Sequence, residues 1–173
     1  AEARGDRVYR QVNYVGRTPE LSDEVIAAAN ERSLQELDVY RVNTVTGRKT
    51  LLTFENPGRV SRWVIDPAGA VRAAISRDEA NRTTTWWRPD GEAKWQALGT
   101  YELWDKDTLP LAFGPDGTFY VISNEGRDKY AIFTYDPVAK ARRDLVFEQP
   151  DVDVGVNDRG RDPDPAKLLF DPV

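Results

Sequence analysis

The sequence repeats itself, and that repeat limits the fold more than any other feature. A turn followed by an apolar strand runs from Trp63 through Asp66-Pro67-Ala68-Gly69 to Ala73-Ala74-Ile75-Ser76. It returns from Leu111 through Gly114-Pro115-Asp116-Gly117 to Phe119-Tyr120-Val121-Ile122-Ser123, about 47 to 48 residues later. A truncated start recurs at Leu168-Leu169-Phe170-Asp171-Pro172-Val173. A second unit joins an alternating strand, a turn and another strand. It runs from Leu37 to Phe54, returns from Tyr130 to Phe147, and has a degenerate copy from Thr85 to Leu98. Val39, Trp86 and Ile132 lie about 46 to 47 residues apart, so two unlike units share one period.

The local chemistry of each unit is that of strands and tight turns. Val39, Tyr40, Val42, Ile132, Phe133 and Tyr135 are β-branched or aromatic and suit a pleated, half-buried surface. Asp-Pro, Pro-Asp-Gly and Thr-Gly mark turns, because Pro presets φ, Gly accepts positive φ and Asp bonds its own backbone. The segment Ser22 to Arg32 fits a helix capped by Ser22, but Ala73-Ala74-Ile75-Ser76 holds the equivalent place one period on, which favours a strand. Four short strands in 40 to 50 residues are the signature of a β-propeller blade.

The expected fold is therefore all-β: a partial propeller of about three four-stranded antiparallel blades within a single domain, residues 1–173. The blades are expected at roughly 22–54, 60–98 and 109–147, with 168–173 starting a fourth. Segment 7–15, with Val8, Val12 and Val15, is expected to give an innermost strand to the first. Propellers close with 4 to 8 blades. Three blades, the absence of Met and the lack of a leader-like start predict a trimmed piece of a larger protein. Open blade edges predict self-association.

Composition bounds the chemistry. With no Cys there is no thiol catalysis and no Cys-ligated metal, and with no His there is no Ser-His-Asp triad and no histidine base. The net charge of -5 argues against nucleic acid and anionic membranes as partners, despite Arg4, Arg7, Arg10 and Arg17. No apolar run approaches the ~20 residues of a membrane span. The compartment is not legible.

Three constellations have a functional and a plain reading. Asp151, Asp153 and Asp158 place oxygens as a hard cation would need. Gly155, however, stands at the fifth position rather than the sixth, and Val152, Val154 and Val156 alternate as in a strand with one polar face, the favoured reading. Trp63, Trp86, Trp87, Trp95 and Trp104 could stack a sugar, but the expectation is that they fill space between blades, with Trp86 and Trp87 facing opposite sides. Asp78, Glu79, Arg77 and Arg82 read as hairpin charges, and no motif places a carboxylate pair for glycoside chemistry. A propeller acting on sugars or lactones is thus the weakest of the functional readings.

The order Phe113-Gly114-Pro115-Asp116-Gly117, a strand ending at Ser123, then Phe133-Thr134-Tyr135-Asp136, resembles the propeller repeats of the prolyl oligopeptidase family of serine peptidases and the related TolB-like repeats. Leu37 to Asn43 with Thr46-Gly47, Gly58 to Trp63, and Gln149 to Val154 are similar to the acylaminoacyl-peptidase and dipeptidyl-peptidase branch. The resemblance covers about 22–173. It implies a parent hydrolase in which the propeller gates and positions peptide substrates for a separate α/β-hydrolase domain. This chain lacks both His and a Gly-x-Ser-x-Gly elbow, so it is not expected to be an enzyme alone. No catalytic, cofactor-binding or metal residue is assigned, and no cofactor is implied. The alternative is a TolB-like scaffold binding protein or peptide partners.

Overall fold

A computed structural model describes residues 10–18, 22–156 and 163–164. These form twelve strands and no helix. The first sheet holds β1 (Val12–Arg17), β2 (Glu24–Ser33), β3 (Glu36–Asn43) and β4 (Lys49–Leu51). The second holds β5 (Val60–Ile65), β6 (Val71–Arg77), β7 (Thr83–Trp87) and β8 (Gln96–Tyr101). The third holds β9 (Thr108–Phe113), β10 (Phe119–Ser123), β11 (Ala131–Asp136) and β12 (Ala141–Phe147). Every pairing is antiparallel and every sheet runs in chain order. These are propeller blades, as the period predicts. Val8 and the expected strand 168–173 lie outside the described residues. The ambiguous segment after Ser22 is β2, with Ala27↔Tyr40 and Ala28↔Val39 in register.

Turn chemistry is repeated with the strands. Gly69 (φ 79) and Gly117 (φ 82) close matching β5–β6 and β9–β10 hairpins, where the amides of Gly69 and Gly117 donate to the carbonyls of Asp66 and Gly114, both at 2.9 Å. Only a residue without Cβ adopts that backbone freely. The later hairpins begin on an Asx residue. Asn43 Oδ1 accepts from the amides of Val45 and Thr46, Asp90 Oδ1 from Glu92 and Ala93, and Asp136 Oδ1 from Val138 and Ala139.

The first strands of the blades lie together: β5 packs against both β1 and β9. Gly16 permits this, since a Cβ there would sit 2.4 Å from Ile65 Cδ1. Apolar side chains fill the space between blades. Ile26, Ala28 and Val39 of the first meet Val60, Trp63 and Ala74 of the second. Val64, Ala73 and Trp87 of the second meet Phe113, Phe119 and Val121 of the third. Adjacent Trp86 and Trp87 serve different interfaces, as strand alternation requires.

Two expectations fail. Trp104 does not sit between blades; it lies in the β8–β9 connection and is 81% exposed. The run from Asp151 to Gly155 is a series of bends rather than a strand, with one bridge, Val156↔Pro163. Two of its three alternating valines are explained by packing instead: Val154 and Val156 join Leu109, Leu111, Ile122 and Ile132 of the third blade, while Val152 is exposed. Gly155 (φ 77) passes so close that a Cβ would meet Ile122 Cγ2 at 2.5 Å.

Candidate functional site between the inner strands

The converging inner strands form a cleft of about 340 Å³. Asn13, Tyr14 and Val15 come from β1, Ser61 to Ile65 from β5, and Leu111 to Phe113 from β9. Among the described residues that line it, Arg62 is the charged one. An Nη1 hydrogen bond to the Pro163 carbonyl ties Arg62 to the returning chain. Ser61 Oγ donates to the Ile75 carbonyl at 3.2 Å, and no histidine or acid is there to activate it. The arrangement can orient an extended ligand and meet a negative end.

The connections between blades are pinned by polar knots. After β4, Thr53 and Asn56 reach back to Asp38 of β3, which is fully buried and accepts from Arg32 Nε (2.6 Å) and Nη2 (2.9 Å), from Thr53 Oγ1 (3.0 Å) and from Asn56 Nδ2 (2.9 Å). Burial pushes its carboxyl up, but the bonds from Arg32, Asn56 and Thr53 outweigh it and hold the group below the usual value. After β8, Asp107 accepts from the Tyr130 hydroxyl at 2.6 Å. Here burial prevails and the carboxyl is raised, while the Tyr130 bond pulls the other way. After β12, Asp153 Oδ1 accepts from the Tyr130 amide, and the Val154 amide donates to the Tyr130 carbonyl. Asp153 is thus a structural acceptor. Among the described residues no group of three or more His, Cys, Asp or Glu is placed to hold a metal ion. Asp78 and Arg82 pair at 2.7 Å and Arg59 and Glu79 at 2.6 Å, hairpin charges as expected. Of the Arg-rich first segment, Arg10 donates to the Asn30 carbonyl at 3.0 Å, while Arg4 and Arg7 lie outside the described residues.

The two wedges between blades differ toward the rim, a feature the sequence reading missed. The first wedge is filled. Arg88 stacks 4.3 Å over Trp95, with Nε donating to the Val71 carbonyl (2.7 Å) and Nη2 to Leu52 (3.4 Å). Trp95 Nε1 donates to the Glu55 carbonyl, Trp63 Nε1 to Leu37, and the two rings lie 5.7 Å apart. The second wedge keeps a cleft of about 530 Å³, lined by Leu98 and Tyr101 of the second blade and by Thr108, Glu125, Phe133, Tyr135, Lys140, Arg142 and Arg143 of the third. Burial, with Glu125 and Tyr135 adding to it, pushes the Tyr101 phenol up to about 12. The consecutive cations after the β11–β12 turn were the available signal.

Repeated four-stranded blades meeting on their first strands define a propeller-type protein. No protein-family model matches the chain. In sequence it is 31% identical over 151 residues to dipeptidyl aminopeptidase BIII of Pseudoxanthomonas mexicana, a match covering 81% of this chain and 20% of that protein. The chain therefore spans about a fifth of the length of the curated relative. In fold it is similar to TolB from Acinetobacter baumannii, with a TM-score of 0.53 at 15% identity, covering 80% of this chain and 33% of the other. The resemblance drawn from the repeats holds on both sides, to a peptidase of the prolyl oligopeptidase family in sequence and to the TolB propeller in fold.

Proposed function

We propose that this chain is the propeller portion of a serine peptidase of the prolyl oligopeptidase family, guiding peptide substrates toward an α/β-hydrolase domain carried elsewhere in the parent protein. The observation that carries this reading is the similarity to a dipeptidyl aminopeptidase over most of the chain. The inner-strand cleft supports it, because its described lining offers Arg62 and apolar side chains such as Val15, Val64 and Leu111 to a peptide. The role is gating and positioning.

The test compares the chain with the full-length parent on dipeptidyl chromogenic amides. The chain alone should give no turnover. The parent should hydrolyse them, and Arg62→Gln in the parent should raise KM more than it lowers kcat, because a group that only orients substrate contributes binding common to ground and transition states. Turnover by the chain alone, or a parent without a Gly-x-Ser-x-Gly elbow, would end the reading.

The fold likeness to TolB favours a second reading, a scaffold propeller binding protein or peptide partners. Further blades in the parent and no elbow would select it. In either case β12, with Leu145 47% and Phe147 49% exposed, offers an edge for pairing with a second copy. Native mass measurement at two concentrations should show a dimer if that edge is used.

A further inference from the structure

Strand pairing puts Ala74 opposite Trp86 in the second blade and Val121 opposite Phe133 in the third, each pair facing the preceding blade. Alternate residues of a strand share a face, so Arg88, just past β7, and Tyr135 of β11 continue these faces along the chain. The first wedge thus receives a Trp and an Arg, and the second a Phe and a Tyr. In the first, a second indole, that of Trp95, closes over Arg88, whose donors end on carbonyls. In the second, no such ring closes the gap, and cations stand at its mouth.

Three cations and one carboxylate line that gap in a chain whose net charge is -5. Arg142 lies 4.9 Å over the Phe133 ring, which fixes the plane of its guanidinium. Nη1 donates to the Glu125 carbonyl at 3.0 Å, but Nε stands 3.8 Å from Glu125 Oε2, beyond hydrogen-bond length. Part of the fork is left for another acceptor. The Tyr135 phenol is raised by burial, with Glu125 and Asp136 adding to it, so it stays a protonated donor at neutral pH. A second cleft of about 360 Å³ adjoins the first through Tyr135 and Arg143, and Trp87 lines it. Trp87 is 6% exposed, and its Nε1 is buried without an acceptor among the described residues. An unpaired buried donor is costly, and a ligand oxygen would relieve it.

We infer that the wedge between the second and third blades is a binding site for a carboxylate, received by Lys140, Arg142 and the Tyr135 hydroxyl. A carboxylate suits this set because a planar guanidinium pairs with it through two parallel bonds. The group arrives either on an acidic peptide side chain or as a free organic acid. This inference does not depend on the peptidase reading.

The test is a titration of the ¹⁵N-labelled full chain, followed by amide shifts, with two probes at matched ionic strength: acetyl-Glu-Glu-amide and citrate. The expected result is a saturable shift of Tyr101, Tyr135, Lys140 and Arg142. Arg142→Gln should weaken it about tenfold, near 1.4 kcal/mol, and Tyr135→Phe should weaken it less, both with wild-type spectral dispersion. Tighter binding of the peptide assigns the protein-borne source, and tighter binding of citrate the free acid. No saturable shift with either probe, or sodium chloride reproducing the shifts, overturns the site. So does binding indifferent to both substitutions. Tyr135→Phe keeps the ring in place, so it decides the matter even if Arg142→Gln fails to fold.

Discussion

The two wedges are built from the same repeat yet behave as different materials. In the first, aromatic rings and one guanidinium pack together toward the rim, and each indole N–H of Trp63 and Trp95 reaches a backbone carbonyl. In the second, Phe113 and Phe119 stack at 4.6 Å and Tyr135 meets Phe119 edge-on, but beyond them the gap is polar and open. Blades radiate, so the space between them widens outward. Closing it takes large side chains at or beside the outer strands: Trp95, just before β8, covers Arg88 in the first wedge, while Tyr101 of β8 lines the second without filling it. A repeat can therefore preserve the fold through its inner positions while its outer positions decide which interface stays available to ligands.

The largest expected effect breaks the filled wedge. Trp63→Ala should cost about 3–5 kcal/mol, the usual range for a truncated core aromatic, read as a lower denaturant midpoint. Tyr135→Ala, at the margin of the open wedge, should cost well under half as much, because water already reaches its side. Equal losses would erase the distinction.

The guanidiniums give the next contrast. Arg88→Met keeps the volume but strands the Val71 and Leu52 carbonyls, so it should cost about 1–3 kcal/mol. Arg142→Met should stay within about 0.5 kcal/mol, as for surface positions. Thermal melts of the pair measure this directly.

Acidity gives a subtler one. Asp38 lies below its usual value, so as pH falls the unfolded chain takes up the proton first. Its contribution is complete above about pH 4 and is lost as pH drops through the folded-state value. Asp107 is raised, so the folded state binds the proton first, and its term favours folding at low pH and fades as pH rises through that higher value. Asp38→Asn should flatten the acid limb of a stability–pH curve. Asp107→Asn should steepen it slightly and leave the stability at pH 7 unchanged or a little higher. Matching slopes in the two variants would contradict the opposed environments.

Much of the fold was legible because it is local and repeated. Ala73-Ala74-Ile75-Ser76 settled the strand at β2, and the adjacency of Trp86 and Trp87 foretold their division between two interfaces. What escaped depends on contacts between distant segments. The valines at 152, 154 and 156 alternate as a strand would, but the positive φ of Gly155 and its fit against Ile122 turn the segment into bends. Trp104 looks like its fellow tryptophans until the β8–β9 connection holds it in solvent. Nothing in the sequence around Arg88 and Arg142 says which of them is covered; the placement of Trp95 over Arg88 helps bury it, while Arg142 lies at an opening. The inner-strand cleft follows from convergence of the blades, which no single segment encodes.

The returning chain after β12 has a mechanical consequence. It is fastened to Tyr130 at the start of β11, wedged by Gly155 against Ile122, and joined at Pro163 to Arg62 on β5. It thus bridges the third blade to the innermost strand of the second, like a cord drawn across two leaves of a fan. Any motion that spread those leaves would have to break the Val156–Pro163 bridge or the Arg62–Pro163 bond, so the gap's width and these attachments should rise and fall together.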